Sequence, residues 1–119
     1  MMDIEGLRRF CLSLPHATEG VQWDNDLLFR IGGKMFAVAS LDVTPTRVSF
    51  KCTPEKFAEL VEQDGITPAA YMARNHWVTL ERLDVLEEEE TKNLIRESYE
   101  MVWAKLTKKL RAELEAGVN

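Results

Sequence analysis

The sequence predicts an α+β fold of two layers, in which an antiparallel sheet is covered on one face by helices. Apolar residues recur at helical spacing at both ends of the chain, and short segments with strand character lie between them. The pair Gly32-Gly33 separates two of those segments. A length of 119 residues, with 45% hydrophobic and 29% charged residues, is typical of one globular unit. We therefore expect residues 1–119 to form a single domain.

The N-terminal segment has the pattern of an amphipathic helix. Asp3 stands where an N-cap is expected, and Pro15 would end the helix because its ring cannot extend the hydrogen-bond ladder. Residues 16–26 contain Gly20 and several polar side chains, which favours a loop. The apolar residues of the helix are spaced three or four positions apart, namely Ile4, Leu7, Phe10, Cys11 and Leu14.

Residues 27–31 and 34–40 are predicted to be the two strands of a hairpin. Both are rich in apolar residues, and the two glycines between them supply the positive φ values that a tight turn needs. Residues 47–51 alternate between polar and apolar side chains, so we predict a third strand after a turn at Pro45.

A second helix is predicted to start at Thr53-Pro54, where a hydroxyl cap precedes a proline, and to end near Gly65. Thr67-Pro68 repeats the start signal and predicts a short helical turn through Met72. Residues 76–80 then have the composition of a further strand.

The C-terminal segment predicts one long amphipathic helix from about residue 86 to residue 114. The predicted element order is therefore α-β-β-β-α-β-α. Four acids, Glu87 to Glu90, fall in the first turn of this helix, and a basic cluster falls in its last turns, which is the arrangement that the helix dipole favours. The basic cluster consists of Lys105, Lys108, Lys109 and Arg111.

The net charge and the two cysteines argue against several classes of function. The formal net charge is −5, so no overall positive field attracts nucleic acid or an anionic membrane. Cys11 and Cys52 fit no metal-ligand spacing and are expected to be buried free thiols. No apolar run reaches the length of a membrane span, and the N-terminus lacks the pattern of a signal peptide. We expect a cytoplasmic protein without membrane contact.

No catalytic motif is found. His16 and His76 belong to no metal-binding pattern, and neither stands beside a spaced cysteine or carboxylate. The Gly-Gly-Lys sequence that ends at Lys34 precedes a strand, whereas a phosphate-binding loop precedes a helix. The four consecutive acids splay around their helix and do not converge on one substrate. We therefore predict neither an enzyme nor a bound metal or cofactor.

Aromatic and basic residues of the strand region could form a surface that stacks on bases and neutralises phosphates. Most aromatic residues of small domains are core residues, however, and Phe29, Phe36 and Trp77 are expected to face the core. Trp23 lies in a polar segment, and its pattern leaves core and surface open.

Several short motifs, in their order and spacing, resemble the MmcQ/YjbR family over about residues 4–109. They are Leu14-Pro15-His16-Ala17-Thr18-Glu19, Trp23, Phe29, Lys34-Met35-Phe36-Ala37, Lys51-Cys52-Thr53-Pro54-Glu55, Pro68-Ala69-Ala70-Tyr71, Trp77-Val78, Ser98-Tyr99 and Ala104-Lys105-Leu106.

The resemblance implies a small bacterial protein with a two-layer domain, similar to type III secretion chaperones and in part to frataxin-like proteins. It implies a DNA-binding label derived from two projecting hairpins, and it supplies no catalytic residues. The recurring positions that it marks in this chain are Trp23, Lys34, Phe36, Lys51, Tyr71, Trp77, Ser98, Tyr99 and Lys105.

Three functions stay open at this point. The first is binding of double-stranded DNA through hairpins near Gly32-Gly33 and Thr44-Pro45. The second is a protein-interaction or chaperone-like module, acting as a homodimer or with another protein through an apolar groove. The third is a small anionic-ligand binder, or an enzyme without a recognised motif, in which Lys34, Lys51 and Lys105 line a pocket. The residues assigned to nucleic-acid binding are Lys34, Arg47, Lys51, Arg74, Trp77 and Lys105.

Overall fold

A computed structural model, which describes residues 2–23 and 25–117, has the predicted α+β fold. Six strands form one antiparallel sheet in the order β1-β2-β3-β4-β6-β5. The elements in chain order are α1 Ile4–Ser13, β1 Thr18–Gln22, β2 Asp26–Ile31, β3 Lys34–Ser40, β4 Arg47–Lys51, α2 Pro54–Leu60, β5 Ile66–Pro68, a 3₁₀ turn Ala73–Asn75, β6 Trp77–Leu80, α3 Glu88–Lys105 and α4 Lys108–Glu115.

The predicted helix starts are confirmed by their capping hydrogen bonds. The Asp3 carboxylate accepts from the Gly6 amide at 2.9 Å, and the Thr53 hydroxyl accepts from the Lys56 amide at 3.1 Å. Each cap satisfies an amide that has no partner within its own helix. Helix α1 ends at Ser13, before Pro15, as expected.

The prediction of a loop over residues 16–26 is wrong, because Thr18–Gln22 forms strand β1. Its register with β2 runs from Thr18 opposite Arg30 to Gln22 opposite Asp26. β1 is an edge strand with exposed polar side chains, so it lacks the apolar alternation by which a strand is recognised from sequence. Its pairing with β2 supplies the stability that its own composition does not.

The segment after α2 also differs from the prediction. α2 ends at Leu60, well before Gly65, and the helical turn expected from Thr67-Pro68 is the short edge strand β5. A proline is tolerated at an edge because its missing amide faces no partner strand. The helical turn comes later in the chain, as the 3₁₀ turn at Ala73–Asn75.

The long C-terminal helix is in fact two helices. Leu106 has extended backbone angles, and the Thr107 hydroxyl accepts from the Leu110 amide at 3.1 Å to begin α4. The apolar spacing of three and four residues continues through the break, so periodicity alone cannot reveal it. Lys108 and Lys109 consequently lie in the first turn of α4, where the helix dipole does not favour them.

The two faces of the sheet are unequal. The main core lies between the sheet and the helices, where Phe29, Phe36 and Val78 are fully buried. A smaller cluster covers part of the opposite face and contains Leu28, Val38, Ala69 and Trp77. We call this opposite face the open face.

Trp77 is therefore buried, at 6% exposure, but not on the side expected from the sequence. Successive strand residues point to opposite faces, and Val78 faces the helices, so Trp77 faces away from them. Among the described residues, no helix is both long and apolar enough to span a membrane.

The β2–β3 turn packs against the end of α3. Gly32 has φ +60° and Gly33 has φ +81°, which is left-handed backbone that glycine adopts without strain. A Cβ on Gly32 would lie 2.7 Å from the Leu106 Cδ1, whereas a Cβ on Gly33 would have no neighbour within 4 Å. Because Gly32 has no side chain, the Leu106 side chain can pack directly against the turn.

We expect Gly32→Ala to lower the free energy of unfolding by about 1–3 kcal/mol more than Gly33→Ala, since overpacking adds to the backbone strain that both variants share. Urea denaturation of the two variants measures the difference. Equal losses would show that Leu106 does not press on the turn.

Candidate functional site

A buried hydroxyl joins α3 to the sheet where strands β3 and β4 part. In the β2–β3 register, Arg30 lies opposite Met35 and Phe29 lies opposite Ala37, so Phe36 is the extra residue of a bulge. The Ser98 hydroxyl donates to the Phe36 carbonyl at 2.7 Å and accepts from the Lys51 amide at 3.0 Å. It thereby connects β3 and β4 just beyond their last pair.

The parting of the strands leaves a concavity of about 510 Å³ at this end of the sheet. It lies where β3 begins and β4 ends, beside the start of β6 and the C-terminal end of α3. We call it the lysine cleft, and it is lined by Lys34, Met35, Lys51, Asn75, Trp77, Val102, Lys105 and Leu106.

The described charged residues that line the lysine cleft are all lysines. Among the described residues, its lining contains three ammonium groups and no carboxylate. None of the ion pairs found among residues 2–23 and 25–117 involves Lys34, Lys51 or Lys105. Burial lowers the pKa of Lys51, and the nearby Lys105 ammonium lowers it further through its charge and a hydrogen bond. Positive charge is therefore concentrated in the cleft without an opposing group from its own walls.

The remaining walls are mostly apolar. Met35 and Trp77 come from the open face of the sheet, and Val102 and Leu106 come from α3 and the residue after it. A site of this kind offers hydrophobic contact to one part of a ligand and charge to another.

The segment that brings Asn75 to the cleft is held by Cys52. The His76 carbonyl accepts from the Cys52 amide at 2.9 Å and from its thiol at 3.3 Å. His76 itself has φ +64°, so the chain turns sharply between the 3₁₀ turn and β6. These two hydrogen bonds from Cys52 thus hold in place the segment that carries Asn75 into the wall of the cleft.

Both cysteines are buried free thiols, as expected. Burial raises the pKa of Cys52 to about 11 and that of Cys11 to about 12. Because the thiolate is the reactive form, neither thiol is activated as a nucleophile at neutral pH. Within the described part of the chain, no cluster of His, Cys, Asp or Glu has the arrangement of a metal site.

Four of the six residues assigned to nucleic-acid binding come together in the cleft, namely Lys34, Lys51, Trp77 and Lys105. The other two do not line it. Arg47 lies at the opposite end of β4, and Arg74 is exposed within the 3₁₀ turn. The predicted set is thus split between the cleft and other parts of the surface.

The sequence pattern assigned no role to Ser98, although the family resemblance marked its position. The sequence does contain a signal for a buried hydrogen bond at this position, because Ser98 lies among apolar residues on the buried side of α3, beside Leu94 and Ile95. A hydroxyl at such a position needs a hydrogen-bond partner, and the bulged strand supplies one. Tyr99, the next residue, donates to the Pro15 carbonyl at 2.7 Å and packs edge-on against Phe36.

The comparisons with known proteins agree on one family. The family model described as YjbR matches residues 12–101. The crystal structure of Deinococcus radiodurans protein DR2400, which carries a domain of the same family under the name DUF419, has a TM-score of 0.86 and 34% identity. That match covers 100% of this chain and 91% of the other.

A second solved structure shares the fold. It is a protein from Pseudomonas syringae with a TM-score of 0.70 and 20% identity, and the match covers 85% of this chain and 99% of that one. No curated protein matches the chain.

We expect Ser98→Ala to lower the free energy of unfolding by about 2–3 kcal/mol, because it leaves the Lys51 amide and the Phe36 carbonyl without their shared partner. Ser13→Ala is the matched control, since the Ser13 hydroxyl donates to the Phe10 carbonyl at an exposed position. Urea denaturation checks both variants. Equal, small losses would show that the buried hydroxyl does not tie α3 to the sheet.

Proposed function

The chain belongs to the YjbR family, and from its lysine cleft we propose that it is a binding protein for a small anionic ligand. The observation that carries the proposal is the convergence of three ammonium groups on a cleft to which the described part of the chain contributes no carboxylate. Placing like charges together disfavours the charged form of each, and an anion in the cleft removes that disadvantage.

The size and lining of the cleft support a small organic anion. Its volume of about 510 Å³ lies within the range of roughly 300–1,000 Å³ that small-molecule sites occupy. Ammonium groups bind phosphate and carboxylate oxygens through charge-assisted hydrogen bonds. The apolar surfaces of Trp77 and Val102 would contact a carbon-containing part of the same ligand.

Double-stranded DNA would use the same lysines, but it has less support. A duplex needs cations spread along a face that follows several phosphates. Arg47 and Arg74 lie outside the cleft, and the chain carries a formal net charge of −5. The concave, local arrangement of Lys34, Lys51 and Lys105 fits one compact anionic group better than an extended backbone.

Protonation of Lys51 couples this function to pH. Its pKa is lowered in the folded chain, so the unfolded chain binds more protons in the interval between the two pKa values, and stability rises with pH across it. A bound anion favours the charged ammonium and raises that pKa again. The affinity for the anion should therefore fall as pH rises through the lowered pKa of Lys51.

We expect pyrophosphate to bind the wild-type protein, and Lys51→Met and Lys105→Ala each to weaken binding by about 10- to 100-fold, the equivalent of one charge-assisted hydrogen bond. Isothermal titration calorimetry at low ionic strength measures these affinities. Lys109→Ala is the matched control, because Lys109 is exposed on α4 and does not line the cleft. Its affinity should stay within about twofold of the wild type.

The same titration with a 20-base-pair DNA duplex separates the two candidates. Binding of pyrophosphate that depends on Lys51 and Lys105, without binding of the duplex, supports the small-anion function. Duplex binding that is stronger than pyrophosphate binding and is lost in both cleft variants would replace it with the DNA function. No binding of either probe would contradict both.

A further inference from the structure

The open face carries a second concavity, of about 460 Å³, at the end of the sheet away from the lysine cleft. We call it the aromatic groove. Its polar and aromatic lining residues are Trp23, Asp26, Ser40, Arg47, Ser49, Tyr71 and Thr79. None of its described lining residues lines the lysine cleft, so a ligand in the groove is independent of the proposed function.

The floor of the aromatic groove presents hydroxyl groups beside the apolar side chains of Val38 and Met72, at positions set by the strand register. Ser40 lies opposite Arg47, and Ser49 lies opposite Thr79. The hydroxyls of Ser49 and Thr79 are 2.8 Å apart and hydrogen-bond to each other. Each hydroxyl keeps lone pairs for another partner, so the floor can donate to and accept from a polar backbone.

The walls of the groove are two aromatic rings that the fold leaves in solvent. Trp23 is 64% exposed and Tyr71 is 104% exposed. Both residues have left-handed backbones, with φ +49° and φ +65°, a conformation that is rare for bulky residues and costs about 1–3 kcal/mol. Neither ring compensates for that strain by joining the core. Two strained, exposed aromatic residues beside one concavity point to a binding role for the rings.

The charged residues among the described lining of the groove are Arg47 and Asp26. No side-chain hydrogen bond or ion pair found among the described residues involves Arg47. Arg47 is exposed at the start of β4, whereas Lys51 lies at the other end of that strand and lines the lysine cleft. The Arg47 guanidinium is therefore available to an acidic side chain of a partner.

We propose that the aromatic groove binds a short extended peptide that carries an acidic side chain next to a proline or aliphatic residue. Trp, Tyr and Arg are the residue types that dominate binding energy at protein interfaces, and Ser and Tyr are typical of surfaces that bind peptides adaptably. Apolar peptide side chains contact the rings of Trp23 and Tyr71, the acid pairs with Arg47, and the peptide backbone meets the hydroxyl floor.

The dimensions of the groove fit this occupant. Its floor crosses from β2 to β6, which is three strand spacings or about 14 Å, and an extended peptide covers that length with about four residues. A single-stranded nucleic acid fits less well, because it needs a cation for each of several phosphates. The groove offers one arginine in its lining, together with the Asp26 carboxylate.

Selection from a phage library of random 12-residue peptides tests the proposal on the wild-type chain. The selected consensus peptide is synthesised with a fluorescein label, and its affinity is measured by fluorescence anisotropy. We expect a consensus with Asp or Glu beside Pro, Leu or Ile. Trp23→Ala, Tyr71→Ala and Arg47→Gln should each weaken binding by about tenfold or more, as interface hot spots do.

Two controls separate the groove from the rest of the surface. Leu12→Ala removes an exposed apolar side chain on α1, outside the groove, and Lys105→Ala alters the lysine cleft. Both should bind the peptide within about twofold of the wild type. Trp23→Gly and Tyr71→Gly remove the rings and relieve the left-handed strain, so they should lose binding without loss of thermal stability.

The proposal is wrong if no peptide is enriched, if the consensus is basic, or if binding survives both aromatic substitutions. It is equally wrong if Lys105→Ala abolishes peptide binding, since the peptide would then occupy the lysine cleft. A fluorescein-labelled 12-nucleotide oligothymidylate that binds the wild type and is lost in Tyr71→Ala would identify the groove as a nucleic-acid platform instead.

Discussion

The hydroxyl of Ser98 is the contact on which the geometry of this protein depends. It stands between the Phe36 carbonyl and the Lys51 amide, where the ladder of β3 and β4 would otherwise continue, and it belongs to α3. This one buried hydroxyl thus gives the carbonyl of the bulged residue a hydrogen-bond partner, fixes α3 against the sheet and separates β3 from β4. The lysine cleft lies at this separation, with Lys51 on one side and Lys105 one and a half to two helical turns further along α3.

An acidic chain can hold an anion site because its charges are segregated. The acids at the start of α3, Glu88 to Glu90, lie 15 to 17 residues before Lys105, or about 22–25 Å along the helix. That distance exceeds the screening length of about 8 Å at physiological salt, so these acids have little effect on the cleft. The lysine cleft takes Met35 and Trp77 from the open face and Val102 and Lys105 from α3, whereas the aromatic groove lies on the open face. The two sites can therefore act on separate ligands through one sheet.

The sequence predicted the fold class and the elements whose signals are local. Helix caps at Asp3 and Thr53 and the Gly32-Gly33 turn were found because a few adjacent residues specify them. Elements defined by pairing, such as β1 and β5, were missed, since an edge strand gains its stability from its neighbour. The break at Leu106 was hidden by an unbroken apolar period. At the site, the convergence of Lys34, Lys51 and Lys105 was foreseen as one alternative. The Ser98 bridge was not, because it joins two residues that are 62 positions apart in the chain.

Anion binding in the lysine cleft requires Lys51 to be charged when the ligand is present. Lysine side-chain NMR, recorded as a pH titration with and without pyrophosphate, tests this at the atom concerned. Without the ligand, the Lys51 Nζ should titrate below the ordinary range of a lysine side chain. With the ligand, its pKa should rise. A Lys51 titration that pyrophosphate leaves unchanged would contradict the proposed function.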